Sequence, residues 1–114
     1  MARVLVVDND SDALDLAMLD LRLEGHVVVG APDGETALTL VETMALDVVV
    51  LDYRMPPGPT GLMVGTRLRM QHPELRILLY TNYHDADLVR DTFESGLLFL
   101  PKGDLRRLRA AVSA

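Results

Sequence analysis

Val4-Leu5-Val6-Val7-Asp8-Asn9-Asp10 is the stretch on which the fold turns. Its apolar run has no polar interruption, which is how a strand buried on both faces reads. Three polar residues then end it abruptly. The pattern recurs at Val27–Val29, Val48–Leu51, Ile77–Tyr80 and Leu97–Leu100. Segments with helical spacing lie between these runs. In the first, Leu14, Ala17, Met18 and Leu21 share one face. The others are expected near Glu35–Met44, Leu62–Gln71, Ala86–Glu94 and Leu105–Val112. Asp10 or Ser11, and Asp85, are suited to N-capping, and Gly25 and Gly96 to ending helices. His72 precedes Pro73 and so avoids the helical region. Five strands alternating with five helices predict an α/β fold, a doubly wound parallel sheet with helices on both faces. Such sheets bind ligands outside the carboxyl ends of their strands.

The chain has 114 residues, enough for one domain spanning 1–114. It has no cysteine, which excludes disulfides, a thiol nucleophile and a cysteine–zinc site. Eleven basic against 17 acidic residues leave a net charge of −6, which argues against nucleic acid as a direct partner. No apolar stretch approaches the roughly 20 residues that span a bilayer, and no signal peptide is expected, so the expected location is cytoplasmic, with no membrane partner.

The carboxyl ends carry the chemistry. Asp8-Asn9-Asp10 follows strand one, Asp52 strand three, Thr81 strand four and Lys102 strand five. Carboxylates brought together repel one another, and a hard divalent cation relieves that. A lysine and a threonine hydroxyl suit phosphoryl oxygens, and a carboxylate can itself be the nucleophile that forms an aspartyl phosphate.

These residues reach a known family. Val-Leu-Val-Val-Asp-Asn-Asp (4–10), Leu-Asp-Tyr-Arg-Met-Pro (51–56) with Gly61, Leu-Tyr-Thr-Asn (79–82) and Phe-Leu-Pro-Lys (99–102) resemble bacterial two-component response-regulator receiver domains, the CheY-like superfamily. Asp33-Gly34-Glu35-Thr36-Ala37-Leu38 also looks like the family's entry into helix two. The resemblance covers essentially the whole chain. It implies strand order 2-1-3-4-5 in a flavodoxin-like three-layer sandwich. It implies that Asp52 accepts a phosphoryl group from a sensor histidine kinase or phosphotransfer protein, with Thr81 and Lys102 binding that group. It implies Mg2+ held by Asp8, Asn9, Asp52 and the backbone carbonyl of Arg54. Thr81 and Phe99 stand where the family keeps its switch residues. The expected role is a signalling switch rather than an enzyme, with self-catalysed phosphoryl transfer and dephosphorylation at most. An output domain, a partner protein or a second copy of the chain would receive the signal. With 114 residues taken up by five strand–helix units, no output domain is expected within this chain.

Several positions depart from the family pattern. Asn9 stands where a second carboxylate is usual, so weaker magnesium binding is expected. Arg54 and Tyr83 are bulky at positions bordering the phosphoryl group, which suggests slower hydrolysis through exclusion of water. Asn82 stands where a small residue is common, and Pro101-Lys102 inverts the usual Lys-Pro order, so no cis bond before Pro101 is indicated. Asn9 favours an alternative, a degenerate receiver acting as a phosphorylation-independent interaction module. A haloacid dehalogenase-type phosphatase is more remote, because Asp12 stands where that motif wants Thr or Val. A flavin-binding flavodoxin lacks its phosphate loop here.

The surfaces offer less. Leu16, Leu19 and Leu23 form a second apolar stripe on the first helix, suited to a neighbouring helix or to a partner; in the family this helix commonly docks the phosphodonor. Arg106, Arg107 and Arg109 read as a solvated face. His26, His72 and His84 show no metal-ligand spacing, and Met55, Met63 and Met70 read as core filler.

Overall fold

A computed structural model describes residues 1–83 and 85–114; His84 lies outside the described residues. The elements alternate as β1 (Arg3–Val7), α1 (Ser11–Leu23), β2 (Val27–Ala31), α2 (Gly34–Thr43), β3 (Val48–Leu51), α3 (Gly61–Gln71), β4 (Arg76–Thr81), α4 (Ala86–Glu94), β5 (Leu98–Pro101) and α5 (Leu105–Ser113). The five strands form one parallel sheet in the order β2-β1-β3-β4-β5. Architecture and strand order are those expected, with element ends shifted by a residue or two.

Side chains alternate across a strand, so each apolar run feeds two cores. Leu5, Val7, Val49, Leu51, Ile77 and Leu79 join Ala37 and Val41 of α2, Val64 and Leu68 of α3 and Leu88 of α4. Val4, Val6, Val48, Val50, Leu78 and Tyr80 join Ala17 and Leu21 of α1 and Leu108 and Val112 of α5. This double duty explains why the sequence runs lack alternation.

The helix boundaries follow local chemistry. Asp10, Asp33, Thr60, Asp85 and Asp104 each accept backbone N–H groups of the first turn as N-caps. Gly25 and Gly96 follow α1 and α4 with φ of 90° and 78°, a region that disfavours other residues. The amino edge of the sheet is tied to both termini. The Arg3 N–H donates to Asp47 Oδ2 at 2.8 Å, and the Ala2 N–H to His26 Nδ1 at 2.9 Å. The His26 Nε2 lies 3.2 Å from Ser113 Oγ. The Arg76 guanidinium donates to the Val112 carbonyl at 3.0 Å and also to that of Ala111.

Three surface expectations change. Met55 is buried, but Met63 and Met70 are 62% and 80% exposed. They lie on the outer face of α3, where the inner face is already filled by Val64 and Leu68. Leu16, Leu19 and Leu23 are exposed at 55%, 55% and 79%, so the second stripe of α1 is not filled by a neighbouring helix. Arg109 leaves the solvated group, since its guanidinium pairs with Asp20 at 2.8 Å and Glu24 at 3.5 Å, joining α5 to α1. Among the described residues the one cis peptide bond is Pro56–Pro57, not the bond before Pro101.

Gly61 fixes how closely α3 approaches the end of β3. Its N–H donates to the Tyr53 carbonyl at 2.8 Å. A Cβ there would collide with the Asp52 carbonyl oxygen and lie 2.9 Å from Leu79 Cδ1. Gly61→Ala is therefore expected to lower stability by about 1–3 kcal/mol, the usual cost of overpacking. Gly58→Ala, whose nearest neighbour would be 3.9 Å away, should stay within about 0.5 kcal/mol of wild type. Urea midpoints of the two variants check this.

Candidate functional site

The sheet order reverses between β1 and β3, since β1 pairs with β2 on one side and β3 on the other. Val7 pairs in register with Leu51, so the residues that follow, Asp8 and Asp52, stand side by side. The Asp8 N–H donates to the Ala31 carbonyl at 3.1 Å and the Asp52 N–H to the Val7 carbonyl at 2.9 Å. Both side chains project from backbones that the sheet has fixed.

Lys102 closes the constellation from the far edge. Its backbone N–H donates to the Thr81 carbonyl at 3.0 Å, which holds the segment after β5 against the end of β4. Its Nζ lies 2.5 Å from Asp8 Oδ2 and 3.3 Å from Asp52 Oδ2. The other oxygens are also engaged. The Asp10 N–H donates to Asp8 Oδ1 at 2.9 Å, and the Tyr53 N–H to Asp52 Oδ1 at 2.7 Å. The pair of acids is thus oriented by backbone amides and neutralised in part by one ammonium.

Burial raises the Asp8 carboxyl above its ordinary range; Lys102 and the Asp10 N–H oppose this, and the Asp52 charge adds to it. Burial alone would lower the Lys102 ammonium, but the Asp8 and Asp52 carboxylates outweigh it and hold the lysine above its usual value. The Lys102 shift has the sign expected of a base between two acids, whereas the Asp8 shift is set by burial, which its partner only partly offsets.

The remaining expected residues take distinct places. Thr81 is buried at the end of β4, and its Oγ1 accepts the Tyr83 N–H at 3.1 Å. Phe99 is half-buried opposite Leu79 and packs against the α2–α3–α4 core. Asn9 is exposed beside Asp8. Asp10 Oδ1 accepts from Asp12 N–H at 3.0 Å and Ala13 N–H at 3.3 Å, which commits it to the cap of α1. Arg54 is exposed, and its guanidinium carbon lies 4.4 Å from the centre of the Tyr83 ring. Tyr53 is the residue that the sequence reading passed over. Its ring stacks on that of Tyr83, with centres 5.3 Å apart and planes 12° from parallel. A sequence signal existed, since the two tyrosines follow the ends of strands that were expected to be neighbours.

Among the described residues no cluster of three or more His, Asp or Glu side chains is placed to hold a metal ion. Two carboxylates are nevertheless what magnesium asks of a protein, the rest of its shell being water, carbonyl oxygen and phosphate. Asp8 and Asp52 already bracket a cationic group and so fit such an ion.

A model of the family described as response regulator receiver domain matches residues 4–113. The chain belongs to that family. This receiver domain is 40% identical over 78 residues to the probable transcriptional regulatory protein TcrX of Mycobacterium tuberculosis, covering 68% of this chain and 33% of TcrX. It is 28% identical over 112 residues to sporulation initiation phosphotransferase F of Bacillus subtilis, covering 96% of this chain and 90% of that protein. The crystal structure of response regulator protein TrrA from Thermotoga maritima in complex with Mg(2+)-BeF superposes with a TM-score of 0.90 at 29% identity, covering 99% of this chain and 97% of that one. Several of the curated relatives are much longer: the receiver domain spans 24% to 45% of the length of five of them. Among the described residues no helix is long and apolar enough to cross a membrane.

The ammonium between the two acids has a measurable consequence. Lys102→Met leaves Asp8 and Asp52 facing each other without a cation. Without divalent ions its stability at pH 7 is expected to fall by about 2 kcal/mol, the scale of a lost charged hydrogen bond in a partly buried site. Protonation of one carboxyl relieves the repulsion, so the loss should shrink toward pH 4. Urea denaturation at the two pH values tests the sign.

Proposed function

We propose that this receiver domain accepts a phosphoryl group on Asp52 from a sensor histidine kinase or phosphotransfer protein and thereby switches a surface read by another protein or domain. The observation that carries the reading is the Lys102 ammonium lying between the Asp8 and Asp52 carboxylates at the carboxyl edge of the sheet. Asp52 Oδ1 accepts the shorter bond, 2.7 Å from the Tyr53 N–H, and Oδ2 the looser 3.3 Å contact with Lys102, so Oδ2 is the oxygen assigned to attack. Attack by Oδ2 forms a P–O bond and breaks the donor's P–N bond, and the released imidazole takes up a proton. Lys102 is close enough to follow the negative charge from the carboxylate onto the phosphoryl oxygens. The Thr81 hydroxyl, which accepts from the Tyr83 N–H, still has its own proton to donate to a phosphoryl oxygen.

Mg2+ would be held by Asp8, Asp52, Asn9 and the Arg54 carbonyl. When bound, it would neutralise charge on the phosphoryl group and on the two carboxylates. The TrrA complex with Mg(2+)-BeF supports this for a relative of the same fold. The chain would act as a stoichiometric switch and not turn over a separate substrate. Phe99, half-buried beside β4, would change its packing as Thr81 moves toward the phosphoryl group. The kinase, the output and self-association are proposed by analogy with the family, and the cytoplasm is the compartment in which such a donor would be met.

Asn9 is the observation behind the second reading, a degenerate receiver that binds partners without phosphorylation. The two separate cleanly. With magnesium and acetyl phosphate, intact-mass measurement is expected to show one phosphoryl adduct on the wild type and none on Asp52→Asn. No adduct on the wild type would support the binding module, and turnover of a small phosphate ester would support a phosphatase. Asn9→Asp adds a third carboxylate and is expected to tighten magnesium roughly tenfold, about 1.4 kcal/mol. Titration calorimetry with magnesium alone reads this, and equal affinities would remove the role given to Asn9.

A further inference from the structure

The stacked tyrosines bridge two loops that the sheet alone leaves separate. Tyr53 begins the β3–α3 loop and is the fixed member. Its N–H donates to Asp52 Oδ1 at 2.7 Å, its carbonyl accepts from Gly61, and its ring packs against the core. Tyr83 follows β4 and is 38% exposed, yet its ring lies flat on that of Tyr53 and beneath the Arg54 guanidinium. Both distances fall in the range where such contacts are attractive. The Tyr83 N–H also donates to Thr81 Oγ1. The stack therefore joins the residue after Asp52, the residue two beyond it, and the loop hydrogen-bonded to Thr81.

We propose that Tyr53 is a positioning residue that locks Tyr83, just after β4, onto the β3–α3 loop, so that Tyr83 and Arg54 form one lid beside Asp52. The inference rests on the phosphoacceptor reading. In hydrolysis, water forms a new P–O bond while the bond to Asp52 breaks. Phosphate leaves with one proton, and the other goes to solvent. Tyr53 reaches Asp52 only through its backbone N–H, which every variant keeps, and its ring acts through Tyr83. It slows this step by keeping Tyr83 and Arg54 closed against the incoming water. Because Thr81 Oγ1 holds the Tyr83 N–H, movement of Thr81 and opening of the lid are one event.

The test compares wild type, Tyr53→Leu, Tyr53→Phe, Tyr83→Ala and the double variant Tyr53→Leu/Tyr83→Ala. Leucine keeps apolar bulk against the core and removes the flat ring. Each protein is phosphorylated with acetyl phosphate, freed of donor, and followed by intact mass. Tyr53→Leu and Tyr83→Ala should each shorten the phosphorylated half-life by roughly 2- to 10-fold, the factor one aromatic pair contributes to an equilibrium. The double variant should be no shorter-lived than the more affected single variant, because both break the same lid. Tyr53→Phe should keep the wild-type half-life. The chain has no tryptophan, so near-ultraviolet circular dichroism of the unphosphorylated proteins reads the tyrosine coupling directly. The part of that signal due to the pair should be lost alike in Tyr53→Leu and Tyr83→Ala, leaving the contribution of the buried Tyr80. Normal uptake with an unchanged half-life in Tyr53→Leu, or additive effects in the double variant, would overturn the lid and leave the phosphoacceptor reading intact. Failure of the wild type to take up phosphoryl would overturn that reading, and the lid with it.

Discussion

One ammonium group set between two carboxylates organises the working edge of this receiver domain. Pairing of β1 with β3 puts Asp8 and Asp52 side by side, and the backbone amides of Asp10 and Tyr53 turn their oxygens inward. Such an arrangement of like charges is unfavourable by itself. Lys102 offsets it from beyond β5, three strands from β1 and two from β3, at 2.5 Å and 3.3 Å. The position of β5 beside β4 therefore matters beyond packing, because it delivers the compensating charge.

The two edges of the sheet are built for different tasks. At the amino edge, Asp47, His26 and Arg76 tie β1, the α1–β2 connection and the end of α5 together. At the carboxyl edge the loops are held mainly through the site itself, by Lys102 and by the stack of Tyr53 on Tyr83. The loops that would respond to a phosphoryl group depend on contacts that such a group can rearrange.

The chain belongs to the receiver family, and the role proposed for it is that of a switch that acts by local charge and reports through another surface. Exposed apolar side chains on α1, namely Leu16, Leu19 and Leu23, and on α3, namely Met63 and Met70, give the domain several faces that its own core does not use. The site departs from the family pattern most clearly at Asn9, which leaves two carboxylates around the ammonium rather than three acids.

The fold was legible because its signals are local. Uninterrupted runs such as Val48–Leu51 mark strands covered on both faces, while Asp10, Asp85, Gly25 and Gly96 mark where helices begin and end. The identity of the residues after each strand also named Asp8, Asp52, Thr81 and Lys102 as the candidate set. Other features depend on which surfaces meet, and no local pattern holds that information. Met63 and Met70 have the composition of a core but lie outside it, because Val64 and Leu68 already fill the inner face of α3. Arg109 reads as a surface charge until α1 brings Asp20 within 2.8 Å. The sequence by itself determined the order of the elements and the chemistry at the strand ends, since both follow from neighbours along the chain. Tertiary structure alone decided that Lys102 sits between two acids and that Tyr53 lies flat against Tyr83. Those contacts join residues 94, 50 and 30 positions apart, and only the parallel pairing of β1, β3, β4 and β5 brings them together.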